Sequence, residues 1–416
     1  MVAEDHFIQT IVGVGILLFA SKLMAELFLR FKLPIVLGEL IAGMIIGPFA
    51  LGAYIIGPDG APLFQLTSEV RVLGEIGAIV ILFMAGLEMT PKEFIRGGKA
   101  SFTVGTLGVV VPFFVGLLVF QLFGFDTFQS MLIATALTAT SIAISIQVLN
   151  EFGKLKTPEA RLIIGAAVVD DILAIAVLSV VTSIGGGDIS TVSPQDVMIT
   201  VLQVLGIFGA MLLVSVLVMP RVMNQRLWKG KGSVEAVATA SFFGAAALAG
   251  TLGLSPIVGA FAVGMALSTT RTFKQVEQFI DKIGLIFAPL FFGIVGAQVD
   301  FRAVDLNVLM LSGVIVAVAV ATKLFGCGLP AMLFLKNRAR GMRVGIGMIS
   351  RGEVGLIVAG VGVTTGSLMP EVYSTIIIMV AVTTIITPIW LKMEYKKEMR
   401  GSKSGAAGGA ARGAPS

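Results

Sequence analysis

Apolar residues in this chain fall in long, nearly unbroken runs, each closed by a short charged or Gly/Pro-containing turn. Runs near 7–28, 34–54, 70–88, 100–122, 130–149, 160–184 and 196–218 are followed by six more near 234–251, 254–270, 283–299, 306–335, 342–364 and 371–393. Crossing a hydrocarbon core takes about 20 mostly apolar residues. A backbone in lipid must satisfy its own polar groups, and for runs of this kind that means helices. The pattern therefore predicts an all-α polytopic membrane protein with about 13 transmembrane helices.

Composition agrees with the pattern. Hydrophobic residues make up 56% of the 416, charged residues only 13%, and mean hydropathy is +0.97, which leaves no stretch for a soluble domain. The net charge of +5 does not point to nucleic acid, because the basic residues sit in alternate connections between apolar runs. Arg30 and Lys32; Lys92, Arg96 and Lys99; Lys154, Lys156 and Arg161; Arg221 to Lys231; Arg271 to Lys282; Lys336 to Arg343; and the tail share one side, against Arg71 and Arg302 on the other. The positive-inside rule then expects the N-terminus outside and the C-terminus in the cytoplasm of the cytoplasmic (inner) membrane, an arrangement that needs an odd number of spans.

A lone Cys327 excludes an internal disulfide and Cys-based metal sites. The N-terminus carries Glu4, Asp5 and His6 instead of a basic leader, so the first run reads as a helix and not as a cleaved signal. The Gly/Ala/Ser-rich end within 394–416 reads as a disordered cytoplasmic tail.

Two segments recur in order. PIVLGELIAGM (Pro34–Met44) returns as PIVGAFAVGM (Pro256–Met265), and IGAIVILFMAGLEMT (Ile76–Thr90) returns as IGLIFAPLFFGIVGAQVD (Ile283–Asp300). Seven spans separate each pair, so the copies sit upside down relative to one another. Spans 2–6 and 9–13 are thus expected to form an inverted repeat, an arrangement common in secondary transporters, which bind substrate at the midplane between the copies.

Charges inside the apolar runs are few and costly, about 2.5–3.5 kcal/mol each at mid-bilayer on insertion scales, and so mark functional positions. Asp170 and Asp171 lie near the middle of span 6, Lys323 at similar depth in span 11, and Arg351 and Glu353 inside span 12. Adjacent carboxylates repel and titrate as a coupled pair. About 100° separates adjacent side chains on a helix, so one can meet Lys323 while the other faces a water-filled cavity. There a monovalent cation and protons compete for the same hard oxygens. A purely structural cluster of Asp170, Asp171 and Lys323 is the bland alternative; it needs only one Asp, and buried ion pairs stabilise poorly.

Arg351 and Glu353 are two apart and share no helical face, which hints at an interrupted helix between Gly345 and Gly355; compensation of freed helix ends and a plain salt bridge both remain open for them. Span 5 is its repeat partner, and its hydroxyl-rich centre TALTATSIAIS (Thr135–Ser145) suits a second break, giving two broken, crossing helices. Glu26, Glu39 and Glu75 lie near span ends, where snorkelling is easy. His6 is the sole histidine, so pH sensing falls to carboxylates or Lys323. An intramembrane aspartyl protease would place its carboxylates on separate helices, a pump would need a phosphate loop that is absent, and a sodium-coupled symporter would need a roomier polar pocket. The reading is a transporter, not an enzyme, with no cofactor.

AAVVDDILAIAVL (Ala166–Leu178), ATALTATSIAIS (Ala134–Ser145) and SRGEVGLIVA (Ser350–Ala359) resemble the sodium/proton antiporters of the cation–proton antiporter-2 family, and the similarity runs in order through 7–393. The resemblance implies a homodimer in which a core domain (helices 4–6 within 100–184 and 11–13 within 300–393) slides past a dimerisation domain (helices 1–3 within 1–99 and 7–10 within 185–299). It implies Asp171 as the main cation and proton carrier, and Asp170 in an ion pair with Lys323 that breaks when the cation binds. It places Thr140 and Ser141 at the unwound crossover of span 5. A lysine at 323 goes with electrogenic exchange in this family. Many relatives add a nucleotide-binding domain after the last span, and none is expected here; potassium systems tend to carry Gln-Asp at 170–171, so sodium or lithium is expected in preference to potassium.

Overall fold

The computed structural model describes residues 2–31, 33–56, 62, 64–184, 194–224, 228–299, 306–352, 355, 358–359, 362 and 367–410, and among these the architecture is helical. In chain order the helices are α1 (Val2–Arg30), α2 (Ile35–Ile46), α3 (Ser68–Leu87), α4 (Pro91–Leu122), α5 (Thr127–Thr138), α6 (Ile142–Glu151), α7 (Pro158–Ile184) and α8 (Pro194–Val222). They continue with α9 (Ser233–Thr251), α10 (Pro256–Leu267), α11 (Phe273–Ala297), α12 (Leu306–Lys323), α13 (Leu329–Leu335), α14 (Arg338–Gly347) and α15 (Pro370–Ala410). Ten segments among the described residues are long and apolar enough to cross a membrane, one of them made of α5 and α6 together, and α10 is a shorter apolar helix.

Several helix starts are written locally. Thr67 caps α3 by accepting from Val70 N, Asp126 caps α5 by accepting from Gln129 N at 2.9 Å, and Asn337 caps α14 by accepting from Arg340 N at 3.0 Å. At α4, Thr90 accepts from Glu93 N at 3.2 Å while the Glu93 carboxylate accepts from Thr90 N at 3.1 Å, a capping box that starts the helix at Pro91, well before the apolar run at 100. The last helix runs to Ala410, past Gly401, where composition alone suggested a tail without structure.

Packing sorts the helices into two sets of neighbours. In one, α2 lies on α1 and α11, α3 lies on α10 and α11, and α8 and α9 cover α10. Helices α2 and α11 touch so closely that a side chain at Gly43 would strike the Gly293 carbonyl, and Gly264 on α10 meets Gly86 on α3 in the same way. Lipid tails are as apolar as leucine, so helices in a membrane gain by such backbone approach at small residues. In the other set, α4 packs on α5, α7 and α12, α12 on α15, and α14 on α7, α13 and α15. The sets meet mainly where α6 and α7 rest against α2, α3 and α8.

Candidate functional site

Helix α7 carries Asp170 at its midpoint, with apolar residues on either side that bury it among α4, α5 and α14. Lys323 closes the regular part of α12 opposite. Its Nζ donates to Asp170 Oδ1 at 2.7 Å, and both side chains are wholly buried. Directly after Lys323 the chain widens into a π-helical turn, Leu324–Gly328, before α13 resumes; such turns are frequent at functional sites. Helix α4 covers the pair with Gly108, where a Cβ would lie 2.7 Å from Cys327 Sγ, 3.2 Å from Asp170 Oδ1 and 3.4 Å from Lys323 Nζ. Asp171 is also buried, at 4% exposure, and has an interaction of its own within the protein.

Beside this pair two interrupted helices cross. Helix α5 stops at Thr138, Ala139 and Ser141 take extended backbone, and α6 begins at Ile142. Helix α14 stops at Gly347, and 348–352 are not helical. The breaks bond to each other: Ser141 N donates to Ser350 O at 2.8 Å, Ser350 Oγ to Ser141 O at 2.8 Å, and Thr140 Oγ1 to Met348 O at 3.4 Å. Ser145 Oγ adds a bond to Gly347 O. Each interruption thereby supplies partners for groups the other leaves unpaired, which is how non-helical backbone survives at membrane depth.

Arg351 sits at the crossing, fully buried. Its Nη1 donates to Ala139 O at 3.4 Å and to Met348 O at 3.5 Å, and its Nη2 to Ala319 O of α12 at 3.4 Å. Ala139 and Met348 are the C-caps of α5 and α14, the ends where helix dipoles leave partial negative charge. Helix α15 fixes the backbone of the same residue: Thr383 Oγ1 accepts from Arg351 N at 3.2 Å and Thr384 Oγ1 donates to Arg351 O at 3.0 Å. The site thus brings together two carboxylates, an ammonium and a guanidinium, with the Thr140 hydroxyl beside Asp170.

The structure gathers Asp170, Asp171, Lys323, Thr140, Ser141 and Arg351 into this one region; Glu353 lies outside the described residues. Glu26 and Glu75 are exposed. Glu39 departs from the snorkelling expected of it: it is buried at 1% exposure and pairs with Lys22 at 3.4 Å, because α2 is tucked between α1 and α11. Sequence reasoning missed Gly108, the π-helical turn, and Thr383 with Thr384. The Thr-Thr pair inside the last apolar run was a readable signal; a single glycine in α4 was not. It also missed a buried junction of α7, α14 and α15, where Arg343 Nη1 meets Glu159 Oε1 at 2.9 Å and Glu398 Oε2 at 3.2 Å over the Tyr395 ring.

Comparison with known proteins adds four findings. Residues 15–396 match the family described as "Sodium/hydrogen exchanger, transmembrane". The chain is 34% identical over 433 residues to the high-affinity Na+/H+ antiporter NhaS3 of Synechocystis sp., covering 95% of this chain and 93% of that one. It is 33% identical over 389 residues to the Na+/H+-K+ antiporter GerN of Bacillus cereus, covering 92% and 95%. In fold it is similar to the sodium proton antiporter MjNhaP1 of Methanocaldococcus jannaschii, with a TM-score of 0.66 at 18% identity over 94% of this chain and 97% of that one.

Proposed function

Because the chain belongs to the sodium/hydrogen exchanger family, we propose that it exchanges sodium, and also lithium, for protons across the cytoplasmic membrane, with Asp171 as the carrier and the Asp170–Lys323 pair as its coupled partner. The observation that carries this reading is the wholly buried 2.7 Å ion pair standing next to a second buried carboxylate at the crossing of two interrupted helices. A static pair would need one aspartate. The second supplies oxygens that a cation or a proton can occupy, but not both at once, and that exclusivity is the coupling.

The finer parts of the reading follow from the same residues. When a cation settles on the aspartates, the Lys323 ammonium loses its partner and releases a proton in addition to the one Asp171 gives up, so exchange is electrogenic. Arg351 and Glu353 balance the half-helix ends, a role supported by the bonds of Arg351 to Ala139 O and Met348 O. Thirteen crossings, with an inverted repeat of spans 2–6 and 9–13, are supported by the way α2 packs on α11 as α10 packs on α3, each pair through glycines of the recurring motifs. The set α4–α7 with α12–α15 slides as an elevator past α1–α3 with α8–α11. Such a slide needs a frame held still in the bilayer, for which we propose a homodimer joined through the second set, with the N-terminus outside.

Potassium is the second reading for the transported ion, favoured by the likeness to an antiporter whose name includes K+; a sodium-coupled symporter of related fold is the third. The test is reconstitution of wild type and Asp171→Asn in liposomes holding an internal pH dye, with an acidic interior and sodium, lithium or potassium added outside. Dissipation of the gradient by wild type with sodium or lithium, abolished in the mutant, is the expected result. Equal responses from both proteins would make Asp171 structural and overturn the assignment; a response to potassium alone would name that ion instead.

A further inference from the structure

We propose that a cavity at the basic end of the helices, whose lining does not include the buried aspartates, holds the headgroup phosphate of an anionic phospholipid. The cavity has a volume of about 340 Å³ and lies between the starts of α4 and α7 and the end of α13. That size falls in the range of built small-molecule sites. Its polar lining is Arg96, Arg161, Glu93 and Ser101, and Phe334 and Leu335 form an apolar wall.

The polar groups divide into engaged and unengaged. The Glu93 carboxylate is taken up by Thr90 and by Arg161 Nη2 at 3.0 Å, so it locks the Arg161 guanidinium in place instead of opposing a ligand across open space. The Nε of Arg161 is buried with no hydrogen-bond partner. Ser101 is 4% exposed, lines the cavity, and makes no hydrogen bond among the described residues. Arg96 likewise makes no ion pair among the described residues and is exposed. The buried Arg161 Nε, a donor without a partner, calls for an acceptor. Two guanidiniums against one carboxylate leave a single positive charge, which matches the single negative charge of a phosphodiester; guanidinium and hydroxyl are the groups that bind phosphate oxygens best.

The apolar wall decides which phosphate. Phe334 is 46% exposed, and Leu333 next to it and Ile95 next to Arg96 are 79% and 71% exposed, so exposed apolar side chains flank the lining residues. An acyl chain attached to the phosphate would lie along them, whereas a free anion would leave them unused. Lys92, Lys99 and Lys336 carry further positive charge to the same end, the pattern that attracts anionic lipid of the cytoplasmic leaflet.

The test uses the full chain in mixed detergent–lipid micelles and native mass spectrometry. Wild type is expected to retain one phosphatidylglycerol in preference to phosphatidylcholine, and 10 mM-scale inorganic phosphate is expected not to displace it. Arg96→Gln should lower retention about fivefold, the worth of one basic contact with an anionic surface, and Arg96→Lys should recover part of it. Folding is not at stake at an exposed, unpaired side chain, and far-UV circular dichroism checks it. Equal retention of the two lipids, equal retention by Arg96→Gln, or displacement by inorganic phosphate each overturns the proposal, the last in favour of a free-anion site. None of these outcomes depends on ion exchange, so a failure here and a failure of the transport reading are separable.

Discussion

Gly108→Ala replaces a hydrogen with a methyl group where α4 leans on the ion pair, and two effects of opposite sign follow. In a helix interior alanine is favoured over glycine by about 1 kcal/mol, so an uncrowded site would become more stable. Here the new methyl lies 2.7 Å from Cys327 Sγ, 3.2 Å from Asp170 Oδ1 and 3.4 Å from Lys323 Nζ. Optimal heavy-atom separation is about 3.5–4.0 Å, so the sulfur contact is roughly 1 Å too short. Overpacking of this kind costs about 1–3 kcal/mol, which outweighs the propensity gain. If the neighbours yield, the pair opens: lengthening a 2.7 Å contact by about 0.7 Å at an effective dielectric of about 20 forfeits on the order of 1 kcal/mol of attraction. A change of that size in the pair proposed to couple exchange should slow it about tenfold.

Exchange is read in liposomes with the pH dye and stability by thermal denaturation in detergent, for Gly108→Ala, Cys327→Ala and the double variant. The single glycine variant should be slower and less stable than wild type. The double variant should recover most of both, because Cys327 Sγ is the nearest obstacle and the remaining contacts exceed 3.1 Å. A Gly108→Ala protein as fast as wild type and more stable would refute the reasoning, since propensity would then have won. A double variant no better than the single one would refute it too.

Two further predictions concern the same region. Lys323→Ala leaves Asp170 buried with no ammonium, and loss of one partner of a buried pair costs about 3–5 kcal/mol; thermal denaturation should show that loss, and adding Asp170→Asn should restore much of it, a restoration whose absence would mean that the pair does not act as a unit. Arg351→Lys keeps the charge but cannot span Ala139 O, Met348 O and Ala319 O together, so it should behave almost as badly as Arg351→Gln in both stability and exchange. A Lys variant with wild-type exchange would show that charge alone suffices there.

Membrane class, helical spans and the buried charges were legible because lipid is a uniform solvent: any run of about 20 apolar residues must be a helix, and any charge inside one must find a reason to be there. The recurring segments with their glycines were legible for a related reason, since close backbone approach tolerates no other residue, and the contacts of Gly43 with Gly293 and of Gly264 with Gly86 bear this out. The start of α4 was also written in the chain, as Thr90-Pro91-Lys92-Glu93, although the apolar run drew attention to 100.

What only the tertiary structure decided are features with no local cause. The hydroxyl-rich stretch from Thr135 to Ser145 suits a break without compelling one, for it holds no glycine or proline; where it breaks, at Ala139–Ser141, is fixed by bonds to 347–350 across the crossing. The choice of Asp170 as the partner of Lys323 depends on the rotation of α7 against α12, which neighbouring helices set. The burial of Glu39, the closeness of Gly108 to the pair and the grip of Thr383 and Thr384 on Arg351 are likewise distances between segments far apart in the chain. Residue types declare which groups need a partner in lipid; only packing determines which partner each one gets.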